Sequence, residues 1–530
     1  MSDPLGAVPR PTDAGLIEYI TKLQVNFPDA VGHINAFRRL GSEYVYAAEV
    51  RHGDARKCWV ALVRFGTRLE SIFGFTREVM VVYSPYSDLQ SRLFNALPDM
   101  ISALPRDIDT NTLFLCAPDK RLAVKLDDWS DPWFTAVPLP RLSNLSDEAA
   151  NTIVRSLRAR VFTRNLYYET TAVWGDRFFG RRQLLRALLE DVRSRSVCGI
   201  FGLRKSGKTS LLRQLQRLAG TYGRDQDRLF VIRDLESLPS PPLTDPVPYL
   251  MRELAAILVD RGGAATSALR GLPDNATPVD FKLALQTALR ILHRQNKQLV
   301  LALDEIEHLL PPNIMDHGVE LPQIPQLLGV FRSLAQEEPN FSFILSGLTS
   351  WITEEGWLYG RPNPLYSYAK TYFLSTFSPA EAAELADGVG RKMGVSWSPE
   401  ALERAYFETG GHPYLYRSLA AEVVETLPHV AEKRSVGRER VEQVTRSWRR
   451  KERAKFREMI NHLESYYPEE ALLLRDMARS SGSGVGESES DASFHLLQLG
   501  LAVEGSGGAL QLSRLGHLVS GTRQPEGGQG

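Results

Sequence analysis

Residues 196–212 read SVCGIFGLRKSGKTSLL, and this stretch decides the fold. Val197, Cys198, Ile200 and Phe201 make a short apolar run of strand length. Gly202, Leu203, Arg204, Lys205, Ser206, Gly207, Lys208 and Thr209 then complete a GxxxxGK[ST] pattern. From Ser210 onward, Leu211, Leu212 and Leu215 recur at helical spacing. Strand, glycine loop and helix in that order are the context of a phosphate cradle. Gly202 and Gly207 allow a tight turn whose successive N–H groups face one anion, and the helix start at Lys208 adds its positive end. Lys208 is expected to reach the β- and γ-phosphates and the Thr209 hydroxyl to ligate Mg²⁺. The bland alternative is a glycine turn between strand and helix.

About a hundred residues downstream, 298–303 (QLVLAL) is a continuous apolar run, as a central parallel strand requires. It ends in Asp304 and Glu305. An acid at the C-terminal end of such a strand faces the ligand crevice of an open α/β sheet. Asp304 is expected to hold Mg²⁺ through a water, and Glu305 to polarise an attacking water. A further apolar strand at 341–345 ends in Ser346, which is either a γ-phosphate sensor or a plain strand end. Arg332, on a helix spanning 326–336, is either a solvated charge or an arginine finger toward a neighbouring subunit.

At 530 residues the chain calls for several domains. Its formal net charge of +0 provides no global field to attract nucleic acid or membrane. Cys58, Cys116 and Cys198 each sit in an apolar run, which suits buried thiols in a cytoplasmic protein better than a disulfide frame or zinc site. No apolar stretch is long enough for a membrane span.

Upstream, residues 1–142 read as a small mixed α/β domain: a helix at 14–24, a hairpin at 43–50 and 57–65, strands at 79–83, 112–116 and 134–137, and helices at 88–104 and 120–127. This order resembles the core of restriction-endonuclease-like folds. Candidate acids for a nuclease are Glu49, Glu78, Asp88 and Asp127, but no ExK triplet follows a strand. A recognition or scaffold domain with solvated acids is the rival reading. A helical linker at 143–173 follows.

Downstream, residues 433–457 carry eleven Lys or Arg against three Glu. Such a helix either grips a nucleic-acid backbone or presents a solvated face. A helix at 469–478, a flexible loop at 480–490, a helix at 491–499 and a hairpin at 501–512 give a winged-helix-like order. The tail at 521–530 has the composition of a disordered segment.

Four pieces together resemble the STAND class of P-loop NTPases, within the wider AAA+ group and near the archaeal-type ATPase branch. They are FFGRRQLLRALL from Phe178, GIFGLRKSGKTSLL from Gly199, LVLALDEIE from Leu299 and GGHPYLYRSLA from Gly410. The resemblance covers about half the chain. It implies an NTPase core at 174–375, a helical lid at 376–428, and a basic helix plus winged-helix-like domain at 429–520. It further implies ATP or ADP with Mg²⁺ as cofactors, Arg181 near the nucleotide or its lid, and Pro413 packed on the base. His412 is either at the nucleotide or a buried or surface histidine without such contact. Many members carry an Arg at the end of the sensor strand; FILSGLTSW has none, which implies slow hydrolysis.

The expectation is thus an α/β P-loop protein acting as an ATP-binding, slowly hydrolysing signalling switch, of the kind used in prokaryotic defence or stress responses. Its expected partners are nucleotide, further copies of itself in the ATP state and an unidentified protein trigger, with no membrane. A DNA-associated ATPase and an ATPase-regulated nuclease are the alternatives.

Overall fold

A computed structural model of the chain describes residues 13–52, 56–104, 106, 108–129, 134–141, 147–221, 227–239, 241, 244–273, 275–310, 321–430, 433–479, 490–505 and 508–521. Residues 53 and 54 of the first hairpin turn, residues 480–489 of the flexible loop, residues 506 and 507 of the second hairpin and the tail from 522 lie outside them. The chain forms two units. One comprises residues 1–169, 386–402 and 420–442; the other comprises 170–385, 403–419 and 443–530.

In the first unit, α1 (Asp13–Asn26) and α2 (Asp29–Arg39) precede β1 (Glu43–His52), β2 (Arg56–Arg64), α3 (Thr67–Phe73), β3 (Glu78–Tyr83), α4 (Ser91–Ala103), β4 (Ile108–Cys116), α5 (Leu122–Trp129), β5 (Thr135–Pro138) and α6 (Asp147–Val161). The strands form one sheet in sequence order, antiparallel from β1 to β3 and parallel from β3 to β5. Its central strands read as unbroken apolar runs because both faces are covered. Along β2, Trp59, Ala61 and Val63 join one core with Phe37 of α2 and Leu157 of α6, while Cys58, Val60 and Leu62 join another with Leu97 of α4 and Leu126 of α5. The expected helices and strands are present; α2 and α3 are additional.

This unit also carries part of the expected lid. Arg164 is buried and donates to Thr112 Oγ1 (3.2 Å) and Lys392 O (2.5 Å), and Lys392 Nζ reaches Asn111 Oδ1 at 2.6 Å. The Trp397 indole donates to Tyr167 Oη at 2.9 Å.

The second unit holds α7 (Arg182–Ser194), β6 (Cys198–Phe201), α8 (Lys208–Thr221), β7 (Asp227–Asp234), α9 (Val247–Gly262), α10 (Pro278–Arg294), β8 (Lys297–Asp304), α11 (Gln323–Glu337), β9 (Phe341–Gly347), α12 (Trp351–Glu354), a small β10–β11 hairpin (Trp357–Leu358, Arg361–Pro362) and β12 (Lys370–Phe373). Five of these strands form a wholly parallel sheet in the order β12-β6-β9-β8-β7. Leu211, Leu212 and Leu215 of α8 pack on one face with Ile200, Val300 and Ile344; Leu254, Leu289 and Phe331 pack on the other with Leu301, Phe343 and Leu345. This is the α/β P-loop arrangement the sequence predicts. Between α9 and α10 lies a 3-10 helix, Gly263–Gly271, whose Thr266 Oγ1 donates to Leu258 O at 2.7 Å.

Helices α13 (Pro379–Arg391), α14 (Pro399–Thr409) and α15 (Pro413–Glu425) follow, with β13 (Ser396–Trp397) pairing parallel to β14 (Ser435–Val436). The basic stretch, expected to be one helix, is two: α16 (Arg438–Lys451) and α17 (Arg453–Tyr466). The break is held by buried Glu452, which accepts from Ser418 Oγ, while Ser418 Oγ accepts from the Trp448 indole at 3.1 Å. Then come α18 (Pro468–Arg479), α19 (Asp491–Gln498), the β15–β16 hairpin (Ala502–Glu504, Leu510–Leu512) and α20 (Arg514–Ser520).

Candidate nucleotide site

Strand register brings the site together. Phe201 pairs with Gly347, Leu303 with Leu345, and Asp304 with Asp234, so the C-terminal ends of four strands share one edge. The loop at 202–207 leaves that edge and feeds α8. Gly207 has φ 98°, a backbone only glycine adopts readily, and the point a Cβ would occupy there is open. Ser206 Oγ is buried without a hydrogen-bond partner.

Lys208 is buried and its Nζ donates to Gly202 O (3.0 Å) and Leu203 O (3.1 Å), curling the loop around its own lysine. Burial lowers its pKa, opposed by Glu307, Asp304 and Glu305. Thr209 Oγ1 donates to Asp304 Oδ2 at 2.6 Å, joining the start of α8 to the end of β8. Asp304 is 1% exposed; burial raises its pKa, and the facing Thr209, Ser346 and Lys208 temper the rise. Ser346 is fully buried beside Asp304 without making a full hydrogen bond.

Glu305 is half-buried, with φ 58°. His308 Nε2 lies 3.4 Å from its carboxylate and is the main cause of its lowered pKa. The carboxylates of Glu305, Asp234 and Glu236 lie within 4.8 Å of one another. Arg181 (φ 58°) and Lys205 (φ 60°) share the left-handed backbone of Glu305. Such strained positions persist only where surrounding structure fixes them.

Arg181 faces the start of α13. Its amide donates to Glu381 Oε1 at 2.5 Å, its guanidinium donates to Ser375 O, and it lies 5.0 Å from the Phe377 ring centroid. Burial pulls its pKa down to about 10.

Pro413 is buried at the first position of α15. His412, before it, is 1% exposed, pulled down to about 3 by burial, and its Nε2 contacts Arg204 O at 3.2 Å. It is therefore a neutral, buried histidine that touches the phosphate loop's backbone. Lys205 Nζ sits 4.1 Å from the Tyr414 ring centroid, and Arg204 Nε pairs with Glu458 of α17 at 2.8 Å.

No family model matches this chain, and no curated protein matches it. Solved structures do. A Walker-type ATPase of Pyrococcus abyssi, PABY2304, is similar at 15% identity and a TM-score of 0.45, over 67% of this chain and 99% of that one. The ORC2 protein of Aeropyrum pernix, in ADPNP–ADP complexes, is similar at 17% identity and a TM-score of 0.43, over 68% and 96%. The RuvB Holliday junction branch migration motor of Thermotoga maritima is similar at 15% identity and a TM-score of 0.34, over 66% and 98%.

Two groups at this site escape sequence reading. Glu307, 6% exposed, accepts the Leu348 amide at 3.0 Å, and its carboxylate opposes the lowering of the Lys208 pKa. The signal for it was a third acid in the DEIE run. His462 of α17 has a buried Nδ1 without a partner; burial lowers its pKa, and Arg204, Glu458, Lys208 and Glu305 all act on it. Nothing in its sequence neighbourhood marks it.

Other candidates are engaged elsewhere. Arg332 donates to Pro364 O at 2.7 Å and stacks on Tyr368, with 4.8 Å to the ring centroid. In the first unit, Glu78 is held by Arg64 and Arg106, Asp88 by Lys125 and Asp127 by Arg160, and among the described residues these acids form no shared metal-binding group. On α16, Trp448 is fully buried and Arg449 pairs with buried Glu408, so much of that helix faces inward. Cys58, Cys116 and Cys198 are buried, and no helix among the described residues is long and apolar enough to cross a membrane.

Proposed function

We propose that this chain binds ATP with Mg²⁺ and acts as a slowly hydrolysing nucleotide switch. The observation that carries the reading is the 2.6 Å bond between Thr209 and Asp304, beneath a loop whose buried lysine donates to two loop carbonyls. The open face at Gly207 and the unpartnered Ser206 Oγ fit a polyphosphate. In this reading the 202–207 loop and Ser210 line the phosphates, and Lys208 exchanges the carbonyls of Gly202 and Leu203 for phosphate oxygens. Thr209 and Asp304 are the residues that would hold Mg²⁺. Bound there, Mg²⁺ would supply positive charge to offset that of the phosphates. Glu305, kept ionised by His308, orients and deprotonates the attacking water.

The switch reading, with a STAND-type lid and winged domain, rests on the neighbours of the loop. Tyr414, His412 and Glu458 all touch residues 204–205, so helices far along the chain bear on the phosphate loop. We take 174–375 as core, 376–428 as lid, with Arg181 and Pro413 toward the nucleotide, and 429–520 as the module that closes on them. A γ-phosphate and its Mg²⁺ supply the differential contacts a two-state element needs. Denaturing the purified chain and identifying released nucleotide by chromatography and mass tests this. About one adenine nucleotide per chain is expected, and none after incubation with Mg²⁺ and ATP contradicts it.

A DNA-associated ATPase is the second reading. Arg446, Arg450 and Arg453 are exposed on α16 and α17. If they contact phosphates, reversing their charge abolishes retention on DNA at low salt, and wild-type retention falls steeply as salt rises.

A further inference from the structure

Buried Glu307 accepts the backbone amide of Leu348 at 3.0 Å. Gly347 lies so close that a Cβ there would meet Glu307 Oε2 at 2.5 Å. A carboxylate in such surroundings needs a countercharge. Gly347 O in turn accepts the Gly202 amide at 3.2 Å, and Gly202 O accepts Lys208 Nζ at 3.0 Å, so backbone contacts join Glu307 to the lysine; burial raises the Glu307 pKa and Lys208 opposes the rise. On its other side, Glu307 fixes the start of the 348–350 segment. Thr349 and Ser350 are fully buried. Thr349 Oγ1 donates to Tyr466 O (3.4 Å), and Ser350 N donates to Tyr467 Oη (2.9 Å). Ser350 Oγ donates to Glu354 Oε2 at 2.7 Å. Glu354 in turn contacts His495 Nε2 at 3.1 Å, and His495 Nδ1 contacts Glu470 Oε1 at 2.6 Å. A chain of contacts thus runs from Glu307 to α18 and α19.

We infer that Glu307 is a positioning residue that couples nucleotide at Lys208 to the C-terminal helices α17–α19 through the 348–350 segment and Tyr467. This rests on the nucleotide-site reading above. A polyphosphate that draws Lys208 Nζ away from Gly202 O alters the Gly202–Gly347 contact against which Glu307 packs. Glu307 then holds the Leu348 amide differently, and the residues hung on that segment shift with it.

The test is amide hydrogen exchange of the full-length chain at saturating Mg²⁺-ATP and at saturating Mg²⁺-ADP, in wild type, Glu307→Gln, Tyr467→Phe and the double variant. Saturation removes affinity from the comparison. The ATP-minus-ADP difference across α17 and α18 is expected in wild type and lost in each single variant, and the double variant loses no more than either. Tyr467→Phe keeps nucleotide affinity within about twofold, since the hydroxyl bonds the 349–350 segment rather than the phosphate loop. If Glu307→Gln fails to fold, Tyr467→Phe decides alone: loss of the difference supports the coupling and retention overturns it. A difference that persists in Glu307→Gln, or its absence from nucleotide-bound wild type, overturns the inference while leaving the site intact. A wild type that binds no nucleotide overturns the underlying reading and the inference with it.

Discussion

Thr209 Oγ1 and Asp304 Oδ2 lie 2.6 Å apart. Parallel strands, with β9 placed between β6 and β8, bring the two chain segments to that distance. The Thr209→Ala variant is expected to lose the Mg²⁺-dependent part of ATP affinity while retaining Mg²⁺-free ADP binding. Fluorescent-nucleotide titrations with and without Mg²⁺ check this; an unchanged Mg²⁺ effect argues against the metal assignment.

Glu305 sits one residue past Asp304, half-buried and ionised beside His308. Glu305→Gln removes the base but keeps the shape. Phosphate release is expected to slow by about 10²- to 10⁴-fold, with nucleotide affinity nearly unchanged. Equal turnover in variant and wild type would remove Glu305 from the chemistry.

His495 gives a pH dependence with a definite sign. Burial alone would lower its pKa, but Glu354 and Glu470 outweigh that and raise it to about 9. A histidine whose folded pKa exceeds its unfolded value near 6.5 stabilises fully below that lower value. The contribution declines above it and is gone once pH passes about 9. After allowance for solvent screening it is worth on the order of 1–2 kcal/mol. The melting midpoint should fall between pH 6.5 and pH 9.5 more in wild type than in His495→Gln. Parallel curves would show that the pair of carboxylates does not hold a charged imidazole.

Glu408 is fully buried among Arg404, Arg449 and Arg514. Glu408→Ala leaves those charges without their shared acid and should cost about 3–5 kcal/mol. Chemical denaturation monitored at buried Trp448 checks it, and a loss under about 1 kcal/mol would mean the arginines find solvent instead.

The sheet was legible where burial forces a pattern. β8 is apolar from Leu299 to Leu303 because both faces are covered, and the acid that ends it marks the crevice. By contrast, α2 hides behind Gly32 and His33, which are buried yet break its apolar stripe. His33 is tolerated there because Nε2 meets Pro140 O at 2.7 Å and Nδ1 meets Tyr83 Oη at 3.3 Å, partners far away in sequence. The basic stretch misled for a related reason. Its charge suggests one exposed helix, but Trp448 and Glu452 turn inward through Ser418 and divide it. The phosphate loop could be read residue by residue since its chemistry is local. Glu307, His462 and the contacts of Tyr414 and Glu458 depend on tertiary placement, which a linear pattern does not carry.

The most direct measurement is calorimetric titration of Mg²⁺-ATP into nucleotide-free wild type and Lys208→Ala. Lys208 Nζ is held between Gly202 O and Leu203 O, in place to turn toward a phosphate. Losing its charge-assisted bonds should weaken binding by about a hundredfold or more, equivalent to roughly 3 kcal/mol. Saturable binding by wild type and none at matched concentration by a folded Lys208→Ala is the predicted result. Equal affinity in the two proteins would contradict the nucleotide site.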